Sequence, residues 1–242
     1  MNEIFRFTDT FEINQNITVN SHIEESNLTW LSIDNCLKNY DQVYKIVSNT
    51  PVAAWKTSDE TTNFIDYKEG RLQYPLRQTC NLVELCYASI KHYFNLETDF
   101  QFGSIDVNVF QQIKPKTNDF NIIHTDQHDL VKQSFTCLLF LNQPLECSGG
   151  TAFFQHVPTG LVKGNTTELG NLLLPLPELY HNGKYYWNQD KESKIWKMIN
   201  YAEMISNRLI IFPSDYFHTA YHPINSFYNF SRLTLVFWMK EI

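Results

Sequence analysis

Three side chains in two separated stretches have the types and spacing to hold a metal ion. The first stretch reads Asn121-Ile122-Ile123-His124-Thr125-Asp126. His124 and Asp126 stand two residues apart, and on a strand such residues share one face. An imidazole and a carboxylate can then converge on one ion. By itself the pair reads more readily as part of a polar surface turn. The second stretch is an apolar run, Arg208-Leu209-Ile210-Ile211-Phe212, which leads through Pro213-Ser214 to His218. Adding His218 gives two imidazoles and one carboxylate. That set covers one face of an octahedral ion and leaves three positions open, as at non-haem Fe(II) sites that bind O2 and a second ligand together. A closed four-ligand set would be structural instead.

Further along, Arg232 and Thr234 lie two residues apart in the apolar run Arg232-Leu233-Thr234-Leu235-Val236-Phe237-Trp238. A buried cation is costly unless it is paired, and the planar fork of arginine suits a carboxylate. No acidic residue lies close in sequence to serve. A dicarboxylate ligand would meet the need, with one end on Arg232 and the other on the metal.

These residues have to be carried by short strands. From about residue 104 the chain reads as strand-like runs separated by turns: SIDVNVFQQI, SFTCLLFL, TAFFQ, NRLIIF and RLTLVFW. Such a series predicts a sandwich or barrel. Before it, two helices are expected. Ile33, Leu37, Tyr40, Tyr44 and Val47 recur at helical spacing over 33–48 with Asp34 as a cap, and Leu82, Val83, Cys86, Ile90, Tyr93 and Phe94 do so over 79–94. The stretch 156–207 is too long for a hairpin. It holds Tyr180, Tyr185, Tyr186, Trp187 and Trp196, too many aromatics for a disordered linker. It reads as an ordered insertion, a candidate lid, with a strand or helix near 192–201. The whole is expected to be one domain over 1–242. Residues 1–104 would form a helical and loop support, and residues 105–242 the strand-rich core.

Composition narrows the partners. The net charge of -7 is the wrong sign for a nucleic-acid binder, which carries a basic stripe, and favours a small molecule or a peptide. Cys36, Cys80, Cys86, Cys137 and Cys147 are odd in number and contain no C-x-x-C. They suggest neither a disulfide framework nor a thiolate zinc site. Cys137, inside CLLFL, is expected to be a buried thiol. The first residues lack the basic start and apolar stretch of a signal peptide, and no apolar run reaches the roughly 18 residues of a membrane span. A soluble, cytoplasmic protein is expected, with its oligomeric state open.

Taken in order, His124-x-Asp126, then Gly149-Gly150-Thr151-Ala152-Phe153, then Phe212-Pro213-Ser214 with His218, then Arg232-Leu233-Thr234 resemble the Fe(II)/2-oxoglutarate-dependent dioxygenase superfamily. The resemblance spans roughly residues 105–240. It implies a mainly β fold with flanking helices around a double-stranded β-helix, a cupin-like jelly-roll. It implies Fe(II) on His124, Asp126 and His218, with 2-oxoglutarate chelated to the iron and its far carboxylate on Arg232 and Thr234. It also implies consumption of O2 and oxidation of a second substrate, an amino acid (free or in a peptide) or another small metabolite. Two features depart from the pattern. Many relatives have a tyrosine shortly before H-x-D, where this chain has Phe110, Gln111 and Gln112, and the stretch 156–207 is longer than usual.

The resemblance favours His218 over His222, because His218 follows the Phe-Pro-Ser turn. His128 lacks the H-E-x-x-H context of a zinc protease and reads as a residue supporting the ligands or lying at the surface. Surface or core roles are the default for His22, His92, His156 and His181, and a solvated side chain for Arg71. Two other readings stay in view, a cupin-type metalloenzyme without 2-oxoglutarate and a non-catalytic jelly-roll binding module. Arg232 speaks against the first, and the triad together with Arg232 against the second.

Overall fold

The computed structural model describes residues 11–23, 28–50, 56–57, 69–73, 81–97, 99–102, 109–113, 120–127, 132–164, 180–181, 184–188, 195–221 and 231–241. In chain order the strands and helices are β1 Thr18–Ile23, β2 Thr29–Asp34, α1 Tyr40–Ser48, β3 Lys56–Thr57, β4 Glu69–Gln73, α2 Asn81–Tyr93, β5 Phe100–Phe102, β6 Val109–Ile113, β7 Phe120–Ile122, β8 Ser134–Phe140, β9 Gly150–His156, β10 Tyr180–His181, β11 Lys184–Asn188, β12 Trp196–Glu203, β13 Leu209–Pro213, β14 His218–Tyr221 and β15 Arg232–Glu241.

A large antiparallel sheet runs β1-β2-β13-β8-β15-β6-β4-β3, with β5 also on β15. A smaller layer runs β12-β9-β14, and a backbone bridge between His124 and His218 joins it to β7, which pairs in turn with β11. From β6 onward the chain passes back and forth between these layers. The order β13-β8-β15-β6 in one faces β12-β9-β14-β7 in the other. This is the interleaving of a double-sheet jelly-roll, and it bears out the expected fold class.

The strand sequences dictate which faces are dry. In β15, Leu233, Leu235, Phe237 and Met239 join a core with α1 and α2, which contributes Val43, Val47, Leu82, Val83, Cys86 and Ile90. The alternate residue Val236 lies in the cluster between the layers, with Trp238 packed on it. Successive strand residues point to opposite faces, so Arg232 and Thr234 belong to the interior face. β8 divides in the same way. Phe135, Cys137 and Leu139 face the helices, while Leu138 and Phe140 face inward with Trp30, Phe153, Phe212 and Tyr216. Strands buried on both faces read as near-continuous apolar runs, which is why SFTCLLFL and RLTLVFW stand out in the sequence.

One local expectation is corrected. The first helix begins at Tyr40 rather than near residue 33. Ile33 lies in β2, whose residues Trp30 to Ser32 are buried on both faces, and the chain turns at Asn35 with φ 55. The apolar spacing thus ran across a strand, a turn and a helix. The element expected near 192–201 is β12, a strand of the small layer that pairs along most of β9. That close pairing needs Gly150, because a Cβ there would collide with the Ala202 carbonyl oxygen. Cys137 is a buried thiol as expected, and Cys36, Cys86 and Cys147 are also free; Cys80 lies outside the described residues. Among the described residues no helix is long and apolar enough to cross a membrane.

Candidate metal centre and a buried arginine

His124, Asp126 and His218 come together at one end of the interior. One ligand atom from each lies within 4.8 Å of the others. The two histidines are locked by a reciprocal backbone pair, each N–H donating to the other's carbonyl at 2.9 Å. Asp126 is not placed by strand alternation, since the chain has left β7 by then. It is placed by two bonds to one carbonyl: Asp126 N–H donates to Ser214 O at 2.9 Å, and Thr125 Oγ1 donates to the same oxygen at 2.8 Å.

His124 Nε2 is 3.8 Å from Asp126 Oδ1, and His218 Nε2 is 3.5 Å from Asp126 Oδ2. His218 Nδ1 is 2.8 Å from the Tyr216 carbonyl. A carbonyl only accepts, so Nδ1 carries the proton and the Nε2 lone pair is left for an ion. Metal-binding histidines are commonly oriented in this way. Burial pushes the Asp126 carboxyl up, but His218, His124 and the Thr136 hydroxyl outweigh it, and the group is held well below the usual carboxylate range. The donor set fits a divalent ion, with two imidazole nitrogens and one carboxylate oxygen. The His124 side chain is 44% exposed against 6% for His218, so the His124 side of the site faces solvent.

Arg232 lies in the same interior, 1% exposed. Among the described residues no carboxylate pairs with it, and its Nε has no hydrogen-bond partner. One Nη reaches the Gly150 carbonyl at 3.5 Å, the limit of a hydrogen bond. The guanidinium carbon lies 5.5 Å from the Phe140 ring centre. Burial pulls its pKa down to about 10, against a smaller upward pull from Tyr201. Thr151 is 2% exposed, and its hydroxyl has no partner among the described residues. Buried polar groups are nearly always hydrogen-bonded, to protein or to ordered water.

A family model described as a family of unknown function, DUF6445, matches residues 15–232. The chain belongs to that family. Among curated proteins nothing matches this DUF6445 chain. Among solved structures it is similar to a prolyl-4-hydroxylase from Pseudomonas putida at 11% identity, with a TM-score of 0.42, covering 93% of this chain and 92% of that one. It is also similar to a prolyl 4-hydroxylase from Phytophthora capsici at 16% identity, with a TM-score of 0.39, covering 88% of this chain and 58% of that one.

Thr234 is buried on the interior face, opposite Phe140. His22 stacks on Trp30, His92 meets Tyr93 edge-on, and His156 packs on Trp196 while its Nδ1 meets Thr159 Oγ1. None of these three belongs to the triad group. His128 and His222 lie outside the described residues, as do the side chains of Arg71, Phe110, Gln111, Gln112 and His181. The lid reading rests largely on residues 165–179, 182–183 and 189–194, which also lie outside them. The described parts of that stretch do flank the site. β11 pairs with β7 just ahead of His124, and Phe217 N–H, just ahead of His218, donates to Val162 O at 3.1 Å.

Sequence reasoning missed Thr136, Thr151 and the hydroxyl of Ser214. The signal for Thr136 was present, as a hydroxyl on the interior face of a strand that otherwise offers Leu138 and Phe140 there. Ser214 was read only as part of a turn.

Proposed function

We propose that this DUF6445 protein is a non-haem Fe(II)- and 2-oxoglutarate-dependent oxygenase that hydroxylates an amino acid, free or in a peptide, or another small metabolite. The observation that carries the reading is the pairing of a divalent-ion donor set with a buried guanidinium that has no carboxylate partner among the described residues, inside one barrel. A ligand with an anionic group at each end answers both. Thr136, which holds Asp126, and Phe140, which lies against Arg232, are four residues apart on β8. At about 3.3 Å per residue that is about 13 Å of strand, with side chains reaching into the gap from both ends.

In this reading His124, Asp126 and His218 hold the ion and leave three positions open. Arg232 takes the far carboxylate of 2-oxoglutarate through charge-assisted hydrogen bonds, with Thr234 beside it on the same face. Bound iron would supply the redox chemistry in which O2 and 2-oxoglutarate yield succinate and CO2 while the second substrate gains one oxygen atom. The second substrate would approach from the exposed His124 side. The net charge of -7 supports a small molecule or peptide over a nucleic acid.

The test is anaerobic mixing of the protein with Fe(II) and 2-oxoglutarate. A visible metal-to-ligand charge-transfer band is expected, absent without 2-oxoglutarate and absent in His218→Ala. Iron binding that gives no such band would leave a metalloprotein without this co-substrate. A subsequent screen of amino acids and peptides for a mass gain of one oxygen would identify the substrate.

A further inference from the structure

The three triad residues are anchored to different layers. His124 and His218 are locked to each other by backbone bonds in the small layer. Asp126 is tied to the large sheet. Its Oδ2 accepts a hydrogen bond from Thr136 Oγ1 at 2.8 Å, and Thr136 lies on β8. The Thr136 hydroxyl is 2.9 Å from Ser214 Oγ, and Ser214 follows β13 directly. Both hydroxyls are buried, at 1% and 0% exposure. β8 and β13 are paired neighbours, with Phe212 opposite Thr136, so two adjacent strands of one rigid sheet present the pair.

The direction of this chain is fixed by counting protons. A carboxylate that ligates an ion is deprotonated and can only accept. Thr136 has one hydroxyl proton, and it goes to Asp126. Ser214 must then give its own proton to Thr136. A hydrogen bond to a carboxylate is charge-assisted, and a donor behind it strengthens it further. A carboxylate pinned through one oxygen cannot swing freely to chelate an ion with both.

We propose that Thr136 and Ser214 are positioning residues for the metal-binding carboxylate. They hold Asp126 as a one-oxygen ligand and so keep three positions of the ion clear. The inference rests on the metal reading above, and a purely structural account explains less. Valine would fill the space of Thr136 among apolar neighbours, whereas a buried hydroxyl is costly unless its bonds are made.

The experiment is titration of the purified full chain with Co(II), followed by the visible d–d bands, in the wild type, Thr136→Val, Thr136→Ser and Ser214→Ala. Thermal melts of each metal-free variant are run alongside. Loss of an outer hydrogen bond to a metal ligand typically weakens binding about 10- to 100-fold. That loss is expected for Thr136→Val, together with a changed Co(II) spectrum and a cooperative metal-free melt lowered by only a few degrees, since Ser214 Oγ loses its partner. Thr136→Ser should restore affinity and spectrum, and Ser214→Ala should show a smaller loss in the same direction. Wild-type affinity and spectrum in both Thr136→Val and Ser214→Ala would overturn the proposal while leaving the metal site standing. Should Thr136→Val not fold, Ser214→Ala and Thr136→Ser decide alone. Absence of Co(II) binding by the wild type would overturn the metal reading and the positioning role together.

Discussion

The two ends of the barrel interior differ in how their polar groups are satisfied. At the metal end the groups answer one another. Ser214 meets Thr136, Thr136 meets Asp126, Asp126 N–H and Thr125 meet the Ser214 carbonyl, and His218 Nδ1 meets Tyr216. At the other end Arg232 Nε and Thr151 Oγ1 have no partner among the described residues, and the guanidinium has one long contact, to Gly150. Buried polar networks are rigid when complete and costly when incomplete. On the proposed reading, the metal end is organised before an ion arrives, while the arginine end would be completed by a ligand.

The sharpest way to break this contrast is to truncate each end separately. Asp126→Ala and His218→Ala should each abolish Co(II) and Fe(II) binding, since each removes one of three protein bonds to the ion. Arg232→Met should leave metal affinity unchanged and weaken 2-oxoglutarate binding by about 100-fold or more, because a hydrogen bond to a charged group contributes about 1.5–3 kcal/mol and the guanidinium can offer two. Without ligand, Arg232→Met should melt at or above the wild-type temperature, since replacing a buried charge by an apolar side chain of similar size is often neutral or stabilising. Calorimetric titration and thermal melts read both effects. A large loss of unliganded stability in Arg232→Met would mean that the arginine is already satisfied, and the contrast would fail.

A second test uses pH. Burial lowers the Arg232 pKa to about 10 from its ordinary 12.5. The folded state therefore binds this proton less tightly than the unfolded chain does. Keeping Arg232 charged costs stability below about pH 10, and the cost is relieved as the pH rises through that value. A carboxylate on the guanidinium stabilises the charged form and reverses the shift. Glutarate, which lacks the metal-chelating keto acid, isolates this end in metal-free protein. Its stabilisation of the fold should be full at neutral pH and fade as the pH passes about 10. Stabilisation that persists unchanged well above about pH 10 and is equally large in Arg232→Met would exclude Arg232 as the anion's partner.

How much of this was legible in the sequence differs between the two ends. Residue type alone exposed Arg232, because a cation inside an apolar strand with no nearby acid is visible in one dimension. His124, Asp126 and His218 were legible as a set, although Asp126 reaches its place through the Ser214 carbonyl rather than through strand alternation. The Ser214–Thr136–Asp126 chain was not legible, because it depends on β8 lying beside β13 in one register. The jelly-roll strands were legible wherever both faces are buried, as in β8 and β15. The start of α1 was not, because Ile33 in β2 happens to continue the helical spacing of the residues after it. β12 was anticipated only as some element near 192–201, since Lys197, Met198 and Glu203 are exposed and leave no clear apolar run.

The smallest expected effect concerns Thr151, and it tests the open end most directly. Thr151 lies on β9 opposite Ala202 and Ala220. By strand alternation it shares the interior face with Phe153, which packs on Trp30, Phe212 and Tyr216. Its neighbour Gly150 supplies the carbonyl nearest Arg232. Valine has almost the same shape and removes only the hydroxyl. Leaving a buried hydroxyl unsatisfied costs about 1–3 kcal/mol, and for a chain of this size each kcal/mol moves the melting point by about 2–4 °C. Thr151→Val should therefore raise the melting point of the unliganded protein by a few degrees. It should also reduce the extra stabilisation given by glutarate or 2-oxoglutarate, because the ligand then finds one polar contact fewer, with a smaller loss than in Arg232→Met. A fall in the unliganded melting point would show that the hydroxyl already has a partner, and the arginine end would then be as closed as the metal end.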